Sequence, residues 1–91
     1  MYGLIGAMRA VSGHREELIE ALTAGSEGLP GNVLYAIAAD AQDPDVVWVV
    51  EHWRSREDHQ ASLALPQVQE AIARGRPHIA GFESRVETEP R

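Results

Sequence analysis

Glu51, Trp53 and His59 are the side chains whose types and spacing could combine into chemistry. They fall in one run, Val46-Val47-Trp48-Val49-Val50-Glu51-His52-Trp53-Arg54-Ser55-Arg56-Glu57-Asp58-His59-Gln60-Ala61-Ser62-Leu63, which holds both tryptophans and two of the four histidines. A carboxylate among apolar neighbours binds its proton more tightly than one in water. An indole offers a flat wall and an N–H donor. An imidazole takes or gives a proton near neutral pH. Glu51 and Trp53 are two apart, so on a strand they project from one face. Ser55 has the character of a helix cap, with Asp58 three residues on, close to a capping box. His59 then lies about one turn into that helix. The three groups could meet where the strand hands over to the helix and act as a proton-transfer site.

Each residue also has a plainer reading. Trp53 could be a structural indole closing the core. Glu51 could pair with Arg54, Arg74 or Arg85, or fix Trp53 or His59 by a hydrogen bond, because a lone buried charge is costly. His59 could be a surface or hydrogen-bonded core histidine, and His78, after Arg76-Pro77, a loop histidine. His52 faces opposite to Trp53. Glu51, His59 and His78 match no zinc or facial-triad spacing, so no metal is expected. No glycine-rich phosphate loop stands between strand and helix, and no serine nucleophile elbow occurs, so no cofactor is expected.

The elements that must hold these residues follow from pattern. Residues 2–10 read as a strand with two apolar or small faces. Leu18, Ile19, Leu22 and Gly25 give residues 14–26 helical spacing, ended by Gly25, Gly28 and Pro30-Gly31. Residues 32–40 read as a second strand with Val33, Tyr35 and Ile37 on one face, and a short polar turn leads to a third strand, 46–54. A helix begins near Ser55. Pro66 interrupts it or opens a second piece, 66–74. Ala61, Leu65, Val68 and Ile72 share a stripe from which His59 is absent, so His59 faces away from the core unless Pro66 breaks the register. Residues 78–87 make the fourth strand. The order βαββαβ implies an α+β, ferredoxin-like fold: a four-stranded antiparallel sheet with its helices on one face. Residues 1–91 are then a single domain. The bare sheet face is apolar too, and so small a core is marginal alone, so a homodimer with facing sheets is expected.

Bulk properties narrow the partners. The formal net charge is −6, and all eight basic residues are scattered arginines; this argues against nucleic acid and an anionic membrane surface. No apolar run approaches the ~20 residues that span a bilayer. Met1-Tyr2-Gly3-Leu4-Ile5-Gly6 lacks a charged leader region, and cysteine is absent, so the cytoplasm is the expected location.

Several short motifs run nearly end to end in a familiar order. They are Ser12-Gly13-His14-Arg15-Glu16-Glu17-Leu18, Leu29-Pro30-Gly31 with Tyr35, Asp40 with Asp43-Pro44, Glu51-His52-Trp53-Arg54-Ser55, His59 with Ser62-Leu63, and Arg76-Pro77-His78-Ile79-Ala80-Gly81-Phe82. On these residues the chain resembles the antibiotic biosynthesis monooxygenase family of small dimeric α+β barrel proteins. The Glu-x-Trp…His…Ser-Leu segment is the most specific part. The resemblance implies a homodimer with a pocket between sheet and helices in each subunit. It also implies oxidation of a quinol- or anthrone-like aromatic by O2 without metal or flavin. By that resemblance Trp53 would wall the pocket and stack the ring. His59 would take or relay a proton, and Glu51 would orient His59 or Trp53. Of the pocket positions only Trp53 and His59 carry over from the family; Tyr35 and His78 are further candidates for contacts to ring oxygens, and Ser62 for a substrate contact. Relatives degrade haem using an Asn in strand one together with a Trp and a His; Tyr2 to Met8 holds no Asn, which speaks against haem. The competing implications are a non-catalytic dimeric binding or stress-response module and an isomerase of a small oxygenated metabolite.

Overall fold

A computed structural model describes residues 1–91. The elements run β1 Tyr2–Ala10, α1 Arg15–Gly25, β2 Asn32–Ala39, β3 Val46–Trp53, α2 Arg56–Ser62, α3 Pro66–Gly75, a single 3-10 turn Arg76–His78, and β4 Ile79–Thr88. The sheet order is β2-β3-β1-β4 and every neighbouring pair is antiparallel. This is the four-stranded α+β, ferredoxin-like arrangement expected from the element order. No helix is long and apolar enough to cross a membrane.

Local chemistry explains the boundaries. Ser55 is extended, and its hydroxyl accepts from the Asp58 N–H at 3.1 Å, which starts α2. Pro66 does not kink one long helix. It opens α3 at its first position, where its missing N–H has no intrahelical role. The α2–α3 junction resets the helical phase, so the single stripe read from Ala61 to Ile72 does not exist: Ala61 is exposed while Val68 and Ala71 pack inward. The Val33 assignment also changes. Asn32 pairs with Trp53 and Leu34 with His52, so Val33 is an extra residue at a bulge and is 54% exposed. The Asn32 side-chain amide donates to the Leu34 and His52 carbonyls at 3.1 and 3.2 Å and closes that irregularity.

Two small core clusters lie between sheet and helices. Tyr2, Leu4, Leu29 and Trp53 form one, under Leu65 and Val68. Ala10, Leu18, Val47 and Val49 form the other, flanked by Met8, Ile19, Leu22, Tyr35, Ile37 and Ile79. The helical layer is tight because α1 and α3 touch through small residues. A Cβ on Gly25 would lie 2.5 Å from the Ala71 Cβ. The opposite sheet face carries Ile5, Leu34, Trp48, Val50 and Val86 with no helix over it; Leu34 is 41% and Val86 51% exposed.

Candidate functional site

A cavity of about 750 Å³ opens between α1, α3 and the sheet. Leu18, Ala21 and Leu22 come from α1, Val68, Ala71 and Ile72 from α3, and Met8, Tyr35 and Ile79–Phe82 from the strands; Arg76 stands at the start of the 3-10 turn. Its walls are mostly apolar, the character of a small-molecule site. Tyr35 and Arg76 are the side chains with polar atoms among its lining residues. No side-chain polar atom that is fully buried lacks a partner. The Tyr35 phenol bonds to no protein group and its oxygen is not sealed from solvent, and the residue lines the cavity. Burial, and then the nearby Glu51 carboxylate, hold the phenol proton far above its ordinary range. Tyr35 is therefore a hydrogen-bond donor at any physiological pH.

Glu51 sits directly across the β2–β3 pair from Tyr35 and across the β1–β3 pair from Leu4. Trp53 Nε1 donates to Glu51 Oε1 at 3.0 Å. His59 Nε2 lies 4.0 Å from the same oxygen. The His59 ring meets Trp53 edge-on at 5.4 Å and Tyr2 at 5.6 Å. The carboxylate, indole and imidazole thus meet at the strand-to-helix junction. His59 does not face away from the core: its side chain is 13% exposed, because the break before Pro66 frees α2 to turn it inward.

Proton affinities in this cluster converge. Burial raises the Glu51 carboxyl above its usual range, against the lowering effects of the Trp53 N–H and of Arg85. Burial lowers the His59 imidazole, and Arg85 lowers it further. An acid made weaker beside a base made weaker narrows the gap in proton affinity that separates the two groups in water. Arg85 reaches both groups because it pairs with Gly6 on the helix-facing side of the sheet. At the same end of β1, Tyr2 Oη donates to Glu87 Oε2 at 2.6 Å, and Arg56 binds Glu87 at 2.9 Å with its guanidinium over the Tyr2 ring.

The remaining expected site residues are placed differently. Trp53 is 1% exposed and packed with Tyr2, Leu4 and Leu29 beneath Val68, so its ring does not wall the cavity. Val68 stands between the two, touching the Trp53 cluster and lining the cavity. Ser62 is 4% exposed, and its hydroxyl donates to the His59 carbonyl at 2.6 Å; it ties down α2 and faces no cavity. His78 lies in the 3-10 turn, stacked on His14 at 5.3 Å, and so it joins neither Glu51 nor the Tyr35 oxygen. Tyr2 and Arg76 did not stand out in the sequence. Tyr2 meets the cluster because it pairs with Trp53, and that register depends on two connections whose lengths carry no unique signal. Arg76 followed by Pro77 reads as a helix stop, which hides its place at a cavity wall.

Comparison with known proteins fits this geometry. The model of the antibiotic biosynthesis monooxygenase family matches residues 1–74. A crystal structure of a candidate antibiotic biosynthesis monooxygenase from Chloroflexus aurantiacus J-10-fl is 51% identical, with a TM-score of 0.97 over 99% of this chain and 92% of that one. A candidate of the same kind from Deinococcus radiodurans is 24% identical, with a TM-score of 0.81 over 100% of this chain and 93% of that one. A Pseudomonas aeruginosa protein, PA3566, is 19% identical, with a TM-score of 0.85 over 99% of this chain and 93% of that one. The last two show a shared fold only. No curated protein matches. The family match over most of the chain and the half-identical relative make this chain a member of the antibiotic biosynthesis monooxygenase family.

Proposed function

We propose that this chain is a cofactor-independent monooxygenase that oxidises a small quinol- or anthrone-like aromatic with O2, working as a homodimer. The observation that carries this reading is the mostly apolar cavity lined by the Tyr35 phenol, with Arg76 also in its wall and Glu51, 4.0 Å from His59, on the strand beside Tyr35. An electron-rich hydroxyarene needs little more. Tyr35 donates to a ring oxygen and fixes the ring in the apolar chamber. Glu51 accepts the proton as the arene becomes its anion, and His59 passes it on. Trp53 positions the Glu51 carboxyl, in place of stacking the substrate. The anion gives one electron to O2, the radical pair couples at carbon, and the peroxide loses water. For an anthrone the balance is one CH2 plus O2 giving one C=O plus H2O, with no external reductant. A dry cavity keeps the anion reactive and the radical pair together.

A second reading is favoured by one observation: Glu51, Trp53 and His59 are not among the cavity-lining residues. A non-catalytic module that binds the same aromatics would need only the cavity and Tyr35. Oxygen uptake with a panel of hydroquinones and anthrones, in chelator-treated buffer, separates the two. Under the monooxygenase reading wild type consumes O2 in proportion to quinone formed. Glu51→Gln then slows turnover by about a hundredfold or more, and Tyr35→Phe by roughly tenfold. Wild type that binds the panel without O2 uptake is the binding module instead.

A further inference from the structure

The two histidines outside the Glu51 cluster on the helical side form a second constellation. His14 precedes α1, Glu17 lies in its first turn, and His78 ends the 3-10 turn before β4. One ligand atom from each, the ring nitrogens and a carboxylate oxygen, all lie within 4.8 Å of one another. His14 Nδ1 is 3.4 Å from Glu17 Oε2, and the two imidazoles are nearly parallel, 18° apart. From this geometry we infer that His14, Glu17 and His78 bind a divalent late first-row metal ion such as Zn2+, which clamps the start of α1 to the turn entering β4.

Three observations carry this beyond proximity. His78 comes from a part of the chain distant from His14 and Glu17, yet the backbones are already joined: Val11 N–H donates to the His78 carbonyl and His14 N–H to the Val11 carbonyl, each at 2.8 Å. The backbone spacing is thus held by the fold, and only side-chain rotation is left to bring the three ligand atoms together. His14 occupies the cap position of α1 without making a capping hydrogen bond, so its ring is turned to Glu17 and His78 and not to the helix end. The donor set, two imidazoles and one carboxylate, is a composition that zinc sites use, with water completing the shell. Bonds of about 2.0–2.1 Å at tetrahedral angles put neighbouring ligand atoms roughly 3.3 Å apart. His14 and Glu17 are half exposed, so small side-chain rotations close the triad onto an ion. The positive end of α1 opposes a cation there; Glu16, Glu17 and the negative net charge offset it.

The site is separate from the proposed oxidation chemistry. Tyr2 touches His59 at one end of β1, and Val11, just past the other end, bonds His78. The clamp bears on the cavity through its walls. α1 supplies Leu18, Ala21 and Leu22, and the segment after His78 supplies Ile79 to Phe82. An ion joining these two segments stiffens one end of the chamber.

Isothermal titration of tag-free, chelator-stripped protein with ZnCl2 tests the assignment, with thermal unfolding as a second readout. The expected result is one ion per chain at micromolar affinity and a melting point that rises with zinc. His14→Ala, Glu17→Gln and His78→Ala each weaken binding about tenfold or more and abolish the zinc-dependent rise. Circular dichroism without metal verifies that each variant is folded; if one is not, His14→Asn and His78→Asn serve in its place. Absence of saturable binding overturns the proposal. So does binding that these variants leave unchanged, which would put the ion elsewhere.

Discussion

Glu51 is under two opposed demands. Its side chain is 16% exposed, and burial raises its proton affinity in the folded chain. The folded state therefore holds this proton more tightly than the unfolded state does. Stability contributed by the protonated form is lost as pH rises through the raised value, so a buried carboxylate costs stability at neutral pH. Glu51→Gln removes that cost while its amide oxygen still accepts from Trp53. The expected outcome at pH near 7 is a melting point a few degrees higher with oxidation lost, an exchange of activity for stability. Asp40 behaves in the opposite way. The Asp43 backbone N–H, the Trp48 indole and the Gln42 N–H, at 2.9, 2.8 and 2.9 Å, pull its carboxyl down to about 2. Its contribution is fully present above the ordinary carboxylate range and disappears as pH falls toward about 2. Asp40→Asn should therefore flatten the acid limb of melting point against pH, and the Trp48 emission should stop shifting with acid over that range. At this scale the Glu51–Trp53 pair was legible, because a period of two fixes which strand residues share a face. The burial of Trp53 was legible as one of its two readings, a structural indole closing the core. It depends on Tyr2, Leu29 and Val68, which reach it from three other parts of the chain.

The strand-to-helix junction and the helix pair decide where those residues point. Ser55 ends β3's exit and caps α2, and α2 carries His59 to the carboxylate. Ser55→Ala removes an acceptor for an otherwise free N–H and should cost about 1 kcal/mol in denaturant unfolding. His59 should loosen from Glu51 with it, so the variant should also lose turnover. The second control point is Gly25 against Ala71. A side chain on Gly25 must push α3 away, because the atom it meets is a Cβ on a packed helix. Gly25→Val should destabilise by roughly 1–3 kcal/mol. It should also weaken binding of any ligand held between these helices, since Gly25 and Ala71 both line the chamber. The strands and α1 were readable within a residue or so, because alternation and turn residues agree in this chain. The bulge at Val33 was not, and the phase break before Pro66 was legible only as one of two alternatives at that proline. Both come from how neighbouring elements meet, and each reverses the orientation of one side chain read from periodicity alone.

The whole molecule is a thin two-layer sandwich, and its second sheet face sets the last prediction. Only 15 of 91 residues are buried in the single chain, so little core supports it. On the uncovered face Trp48 lies beside Ala7, Val50 between Ile5 and Ala36, and Val86 beside Ile5. Side chains of that kind left in water over four strands make an apolar patch of the sort that marks an interface. A second copy presenting the same face would cover it symmetrically. Such a dimer buries no wall of the chamber, because the helices lie on the other side of the sheet, so each chain keeps its own cavity. Val50→Glu puts a charge at the middle of the patch, on the opposite sheet face from Tyr35 and the helices. Wild type is expected to sediment as two chains, and Val50→Glu as one chain with a lower melting point and a Tyr35 cavity that still takes up ligand. A wild type that sediments as one well-folded chain would show that the open face is tolerated bare. The expectation of facing sheets would then fail, while the cavity and the Glu51 cluster, both built within one chain, would stand.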